Sequence, residues 1–378
     1  MAGFRESLVL PLALALASCG ASAAGDDGTR PFQTTEMGKF EEPWALAFLP
    51  GGASALVTEK AGTLKLWRKG AGTVTVSGAP KVAYGGQGGL GDVALAPDFA
   101  ASGTVYLSWA EPGPNGTAGA ALGRARLVQG PSPRLDGLTV IWRQDRKVTG
   151  EGHFSHRIAF SPDGKFLFVS SGERQKFTPA QDLGTNLGKV VRLLPDGTPA
   201  PGNPFAAKGG VSAQIWSYGH RNVLGLKFDA AGRLWDLEHG PRGGDELNLV
   251  KPGLNYGWPL VSDGDHYDGR AIPRNRTRPD LAQPAITWNP VIAPGDFIFY
   301  RGAMFPRWQG HALIAGLASG ALVDVAIEGD KAREVTRHDF GQRLREIVEH
   351  PDGSVWILED GPGGRLLRLT PRTQPTNQ

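Results

Sequence analysis

From about residue 41 onward, short apolar runs alternate with polar positions at a period of two, and most end in turns rich in Pro, Asp and Gly. Trp44-Ala-Leu-Ala-Phe-Leu-Pro-Gly-Gly leads into Ala55-Leu-Val-Thr-Glu, and Val93-Ala-Leu-Ala-Pro-Asp-Phe leads into Val105-Tyr-Leu-Ser-Trp. Ile158-Ala-Phe-Ser-Pro-Asp-Gly-Lys precedes Leu167-Phe-Val-Ser-Ser, and Leu226-Lys-Phe-Asp-Ala-Ala-Gly-Arg precedes Leu234-Trp-Asp-Leu-Glu. Ile347-Val-Glu-His-Pro-Asp-Gly-Ser precedes Val355-Trp-Ile-Leu-Glu. A weaker unit runs from Met304-Phe-Pro-Arg-Trp through Leu313 to Leu322-Val-Asp-Val. Proline presets φ in such turns and glycine supplies positive φ, so each unit predicts a hairpin. No stretch has the 3.6-residue period of a long amphipathic helix. Six units at roughly fifty-residue spacing predict an all-β, six-bladed β-propeller, because a lone hairpin pair cannot bury its own faces.

Two stretches break the rhythm, residues 172–212 and 251–296. Long loops in a compact domain are often functional. Residues 24–40 are polar and irregular and read as a flexible tether. The propeller is expected over 41–371, with 372–378 as a disordered tail.

Composition changes this picture little. Glycine (54) and proline (29) are spread between the apolar runs, as turns require. The chain carries 40 basic and 37 acidic residues, a formal net charge of +3, with no long run of one sign. The densest basic stretch, Arg270, Arg274, Arg276 and Arg278, is interrupted by Pro273, Pro279 and Asp280 and reads as a solvated loop, so no nucleic-acid partner is expected.

The N-terminus adds a destination. Arg5 precedes an apolar Leu8 to Ala17 segment too short to span a bilayer, so residues 1–23 read as a signal peptide. Two processing sites compete. Ala21-Ser22-Ala23 suits a signal peptidase, whereas Leu16-Ala17-Ser18-Cys19 resembles a lipobox. Cys19 is the single cysteine, so an internal disulfide is excluded, and export to the periplasm with a lipid anchor at Cys19 is expected.

Chemistry concentrates in five separated segments. They are Gly86-Gln87-Gly88-Gly89-Leu90-Gly91; Gly152-His153-Phe154-Ser155-His156-Arg157; Ser217-Tyr218-Gly219-His220-Arg221-Asn222; Glu238-His239-Gly240-Pro241-Arg242-Gly243-Gly244-Asp245-Glu246, running on to Asn255-Tyr256-Gly257-Trp258-Pro259; and Arg343-Leu344-Arg345-Glu346. A neutral imidazole such as His153 suits proton abstraction from a hydroxyl near neutral pH. Its plainer alternatives are an ordinary structural histidine or, with His156, a metal pair. Arg343 and Arg345 stand two apart, so on a strand they share a side. With Arg221 they suit a multiply anionic ligand, since guanidinium binds carboxylates in a bidentate fashion.

Together the five segments resemble the soluble, PQQ-dependent glucose and aldose sugar dehydrogenase family, over residues 41 to 370. The resemblance implies an oxidoreductase that takes an aldose at C1 to the lactone by hydride transfer to PQQ and passes the electrons to an external acceptor. It implies His153 as the general base, and Gln87, Arg221, Asn222, Arg343 and Arg345 as cofactor or substrate contacts. It implies the backbone carbonyls of Gly240 and Pro241 as ligands of a Ca²⁺ ion, with Asp245 and Glu246 orienting that loop. A second, structural calcium would fall near Asp263, Asp265 and Asp268. The chain departs from the family at His156, where a small residue is usual, and at Pro294-Gly295-Asp296. It also has Ala318 where the glucose branch has a lysine, which favours the broad aldose branch. Two alternatives stay open: a calcium-dependent, lactonase-like propeller hydrolase, which needs acidic side chains on the axis, and a non-catalytic binding propeller.

Overall fold

The computed structural model describes residues 30–372. Twenty-four strands form six four-stranded antiparallel sheets, as the repeats predict. Blade one holds β2 (Pro43–Phe48), β3 (Ser54–Glu59), β4 (Thr63–Arg68) and β5 (Gly72–Val76). Blade two holds β6 (Leu90–Leu95), β7 (Thr104–Pro112), β8 (Ala118–Val128) and β9 (Arg134–Arg143). Blade three holds β10 (Ser155–Phe160), β11 (Leu167–Ser171), β12 (Lys189–Leu193) and β13 (Ile215–Tyr218). Blade four holds β14 (Val223–Phe228), β15 (Leu234–Glu238), β16 (Asp245–Leu249) and β17 (Ile286–Trp288). Blade five holds β18 (Pro294–Phe299), β19 (Ala312–Gly316), β20 (Ala321–Glu328) and β21 (Lys331–Asp339). Blade six holds β22 (Leu344–Glu349), β23 (Val355–Glu359), β24 (Gly364–Pro371) and, on its outer edge, β1 (Phe32–Phe40).

The first strand of each blade touches the first strand of the next, and β22 returns to β2, so the ring closes. Six separate apolar clusters fill the six blade–blade interfaces. Leu56, Leu66 and Trp109 pack between blades one and two, for example, and Trp67 meets Trp356 between blades one and six. The core is therefore a wheel of seams around an axis, not one central ball. The one α-helix among the described residues is the four-residue turn Phe99–Ser102.

Three expectations need correction. The tether assigned to 24–40 is ordered strand from Phe32, paired with β24 from Phe32↔Pro371 to Phe40↔Gly364. Its interior residues are largely exposed because it lies on an outer edge, so it lacks the alternation that marks the inner strands. The weak unit begins with β18 at Pro294, since Pro306–Trp308 is a 3-10 turn. The stretches 172–212 and 251–296 are not continuous loops: β12 lies in the first, and β17 and the start of β18 lie in the second. The proposed signal peptide, Cys19 and residues 373–378 fall outside the described residues.

Candidate active site

All six inner strands carry an irregularity near their beginning, between Pro43/Ala45, Leu90/Val93, Ser155/Ile158, Val223/Gly225, Pro294/Asp296 and Leu344/Glu346. A bulge adds an unpaired residue and re-aims its side chain. The residues skipped in the ladders include Trp44, Leu224 and Arg345, and these three line a cavity of about 220 Å³ with Gln87, Phe154, Ser155, His239 and Arg343. With Leu317 after β19, all six blades contribute bulge or loop residues to one pocket. Gly295 is skipped in the same way in blade five, where a Cβ would lie 2.4 Å from the Arg345 carbonyl oxygen, so the Pro294-Gly295-Asp296 departure is a close backbone approach that glycine permits.

His153 does not line this cavity but adjoins Phe154 and Gln87, which do; it is buried, with φ +51. Its backbone N–H donates to Gln87 Oε1 at 2.8 Å. Asn222 Nδ2 donates to the same oxygen at 3.4 Å, and Asn222 Oδ1 accepts from Ser155 Oγ at 3.2 Å. The imidazole Nδ1 pairs with Glu173 Oε1 at 2.5 Å. Burial pushes His153 below its ordinary value and the Arg221 cation adds to this, while the Glu173 hydrogen bond opposes it. Burial would raise Glu173, but its bonds from His153 and Phe177 and the nearby Arg221 hold it below the usual carboxylate value. Both directions favour a neutral imidazole whose Nδ1–H donates a hydrogen bond to an ionised carboxylate. Nε2 then keeps its lone pair, as a general base requires.

The arginines meet different partners. Arg343 Nε and Arg345 Nε donate to the two oxygens of Asp360 at 2.8 and 2.9 Å, so the pair shares one carboxylate and retains net positive charge beside the cavity. Arg221 donates to the His239 carbonyl at 3.0 Å and to Tyr267 Oη at 3.3 Å, and its buried Nε has no partner.

Gly240 lines a second, smaller cavity of about 20 Å³ with Arg221, Glu238, Glu246 and Trp258, and His239 borders both cavities. Asp245 does orient the loop: Oδ1 accepts from the Gly240 N–H at 2.9 Å, and Oδ2 from Ile292 and Ala293 at 2.8 and 2.7 Å. Burial pushes Asp245 up to about 6 and Glu246 up to about 8, the latter aided by neighbouring Glu238. Glu246 is held by Asn275 and Asn248, away from Gly240 itself. Among the described residues, neither the Gly240 nor the Pro241 carbonyl accepts a hydrogen bond.

Other expected groups do not assemble. Asp265 pairs with Arg274 and Asp268 with Arg270, each at 2.8 Å, while Asp263 accepts from the Asn275 N–H. His156 is buried against Trp44 and bonded to Ser108, remote in role from any metal pair. Ala318 contributes its backbone N–H to Ile292, and its neighbour Leu317 lines the cavity. The one group of three metal-ligating side chains among the described residues is His220, Asp236 and Glu238. There the two carboxylates overcome burial and lift His220 to about 9.

Acids do converge on the axis, and cations fill the space between them. Arg157 Nη1 lies 2.7 Å from Glu346 and 3.6 Å from Asp92, and its Nε lies 3.9 Å from Asp296. Lys227 reaches Asp296 at 2.9 Å. The guanidinium also lies 4.0 Å from the Trp44 ring centroid. The three axial carboxylates, the kind of group a lactonase-like hydrolase would offer to calcium, are thus met by two protein cations.

The model of the glucose/sorbosone dehydrogenase family matches residues 40–368. The chain belongs to that family. It is 42% identical to the aldose sugar dehydrogenase YliI of Escherichia coli over 341 residues, covering 88% of this chain and 91% of that protein. The crystal structure of the soluble aldose sugar dehydrogenase of E. coli in its apo form superposes with a TM-score of 0.87 at 39% identity, covering 90% of this chain and all of that one. The PQQ-bound aldose sugar dehydrogenase of Streptomyces coelicolor superposes with a TM-score of 0.71 at 27% identity, covering 90% and 98%. The protein is an oxidoreductase of the sugar dehydrogenase kind.

Within this family setting, the residues that sequence reasoning missed are Glu173, Asp360, Trp44 and His239. Glu173 ends Ser170-Ser-Gly-Glu after β11, and its acid at a strand end was the one signal available. Asp360 was detectable only as an acid following β23, since its partners lie in β22 and just before it.

Proposed function

We propose that this protein oxidises aldose sugars at C1 to the lactone, with PQQ as hydride acceptor and Ca²⁺ beside it, and passes the electrons to an external acceptor. The observation that carries the reading is the buried His153–Glu173 pair set beside an arginine-lined cavity. The residues fit the cofactor. Arg221 has an orphaned buried Nε, Arg343 and Arg345 share a single carboxylate, and three cations of this kind suit a planar tricarboxylate. They fit the ion as well. Gly240, whose carbonyl meets no hydrogen-bond donor, borders a space for one water-sized occupant beside the acids Glu238 and Glu246, and the equally unpartnered Pro241 carbonyl follows it in the chain.

Arg221, Arg343, Arg345, Gln87 and Asn222 would hold PQQ, and the Gly240 and Pro241 carbonyls would hold Ca²⁺. When bound, the pair supplies a polarised quinone able to accept hydride. The protein's own part is proton management. His153 Nε2 takes the C1 hydroxyl proton, and Glu173 fixes the tautomer and stabilises the imidazolium that results. Gln87 and Asn222 lock the His153 backbone against the pocket wall.

The test is a titration of purified cofactor-free protein with PQQ and Ca²⁺, followed by glucose and other aldoses with a dye acceptor. Saturable PQQ binding with dye reduction is expected. Absence of both sinks the reading. We further propose export to the periplasm with a lipid on Cys19. Labelled lipid incorporation that disappears in Cys19→Ala is the expected result, and a soluble mature chain starting near Ala24 overturns it.

A further inference from the structure

The cavity wall is rich in hydrogen-bond donors and poor in free acceptors, and the imbalance singles out His239. Arg343, Arg345 and Lys60 line it as cations. The acceptors beside them are already engaged within the protein. The two oxygens of Asp360 take the Arg343 and Arg345 Nε–H groups. Glu42 accepts from Lys60 at 3.4 Å and from the Tyr84 hydroxyl. Gln87 Oε1 takes the His153 N–H, and Ser155 gives its hydroxyl hydrogen to Asn222. The His239 ring makes a single hydrogen bond, between Nε2 and the Pro294 carbonyl at 2.7 Å. A carbonyl can only accept, so Nε2 carries the ring proton and Nδ1 the lone pair. Among the described residues Nδ1 meets no donor. Arg221 Nε, which also lacks a partner, is sealed inside the protein, whereas Nδ1 is not.

The ring is also fixed. His239 follows β15 directly. Its N–H donates to the Asn222 carbonyl at 3.1 Å, and its own carbonyl accepts from Arg221 Nη1 at 3.0 Å. Its main chain is thus tied on both sides to the segment before β14, and its ring to Pro294 at the start of β18. Burial, with the Arg221 and Arg345 cations nearby, pushes the ring well below the ordinary histidine value and keeps it neutral. A lone pair held this firmly among cations is a built acceptor, ready for a ligand donor without reorganisation.

We infer that His239 Nδ1 accepts the pyrrole N–H of bound PQQ and so fixes which way round the cofactor lies in the cavity. The inference rests on the PQQ reading proposed above. The carboxylates, quinone oxygens and pyridine nitrogen of PQQ all receive hydrogen bonds, which the arginines can supply. Its pyrrole N–H is the one donor of the ring system at neutral pH. Left unmatched in a closed site, such a donor loses its hydration without replacement. Cations alone would hold a flat tricarboxylate in several orientations, and one acceptor at one point of the wall selects among them.

The experiment uses two side chains that divide the imidazole between them. In His239→Gln the amide reaches the Nε2 position, which keeps a donor for Pro294 and removes the Nδ1 acceptor. In His239→Asn the amide oxygen falls at the Nδ1 position, which keeps the acceptor and removes the Pro294 bond. Each cofactor-free protein is titrated with PQQ at saturating Ca²⁺ and followed by tryptophan fluorescence. His239→Gln is expected to raise the PQQ Kd roughly tenfold with an unchanged thermal melt, as an unmatched donor implies. His239→Asn should stay within about threefold of wild type by the same argument. PQQ methylated at the pyrrole nitrogen should abolish the difference between wild type and His239→Gln. Equal PQQ affinity in wild type and His239→Gln overturns the inference. So does a loss in His239→Asn as large as in His239→Gln or larger, which would make the Pro294 bond the role of this residue. A change confined to the Ca²⁺ titration overturns it in favour of the ion, and one confined to the KM of the sugar in favour of the substrate. If the wild type binds no PQQ, the cofactor reading itself fails and the inference falls with it.

Discussion

Two places in this molecule gather arginines and carboxylates, and they do so for opposite ends. At the axis, Arg157 is 1% exposed and faces Asp92, Asp296 and Glu346, with Lys227 completing the group. Its Nε and Nη2 also bond the Leu224 and Gly295 carbonyls at 2.6 and 2.8 Å. At the cavity, Arg221, Arg343 and Arg345 have carbonyls, a phenol and one shared acid, and Arg343 is half exposed. Charge enclosed by protein counter-charge holds blades together. Charge left short of partners next to a cavity awaits a ligand. The contrast explains why a propeller with acids on its axis does not read as a calcium hydrolase: what matters is which ions the protein has already supplied.

The sharpest way to break this comparison starts at the cavity. His153→Ala should lower kcat by about 10²- to 10⁴-fold, the usual worth of a positioned base, while PQQ titration and the thermal melt stay near wild type. A loss of folding instead would make His153 a structural group like those on the axis. At the axis the pattern reverses. Arg157→Met leaves three acids facing Lys227 alone and should cost about 3–5 kcal/mol in urea unfolding, the penalty for breaking a buried ion network. An unchanged midpoint would show that the acids are protonated and the network idle. Burial does push Glu346 well up, so this outcome is a real test.

Smaller effects refine the picture. Because burial holds His153 below 6.5, the base protonates only when pH falls through that lowered value, and the plateau of kcat/KM should extend below pH 6.5. Glu173→Gln removes a contribution that raises the His153 pKa. The acid limb should then move to still lower pH while the plateau falls about tenfold, since a weaker, less oriented base remains. A limb that moves upward would contradict the pairing. Smallest of all, Arg343→Ala should shift the urea midpoint by less than about 0.5 kcal/mol, as exposed pairs contribute little. Its effect should show instead as weaker PQQ binding.

Much of this was legible along the chain. Ser161-Pro-Asp-Gly and His350-Pro-Asp-Gly mark the turns between β10 and β11 and between β22 and β23, because turn chemistry is local. The Arg343/Arg345 spacing correctly placed both side chains together, although Arg343 precedes the strand and a bulge aims Arg345. What escaped was non-local. Glu173 lies 20 positions from His153, across the β10–β11 hairpin, and left-handed residues that no propensity favours flank both ends of that hairpin (His153, Ser155 and His156; Arg174, Gln175 and Phe177). Arg157 looked like one more residue of a motif, since its partners come from blades two, five and six. β1 was hidden because an outer edge strand satisfies its backbone in the ladder while its side chains face solvent.

That edge strand governs when the molecule can be finished. Gln33 bonds Thr370 across 337 positions, so β1, the first strand among the described residues, has no partner until β24, the last of them, has left the ribosome. Until then blade six has an open edge and the wheel a gap, and closing such a long loop carries an entropic cost that the completed seams must outweigh. β1 and β24 act as a clasp, joining early and late parts of the described chain in one sheet. A chain that stops before β24 lacks the partner of β1 and leaves strand edges exposed.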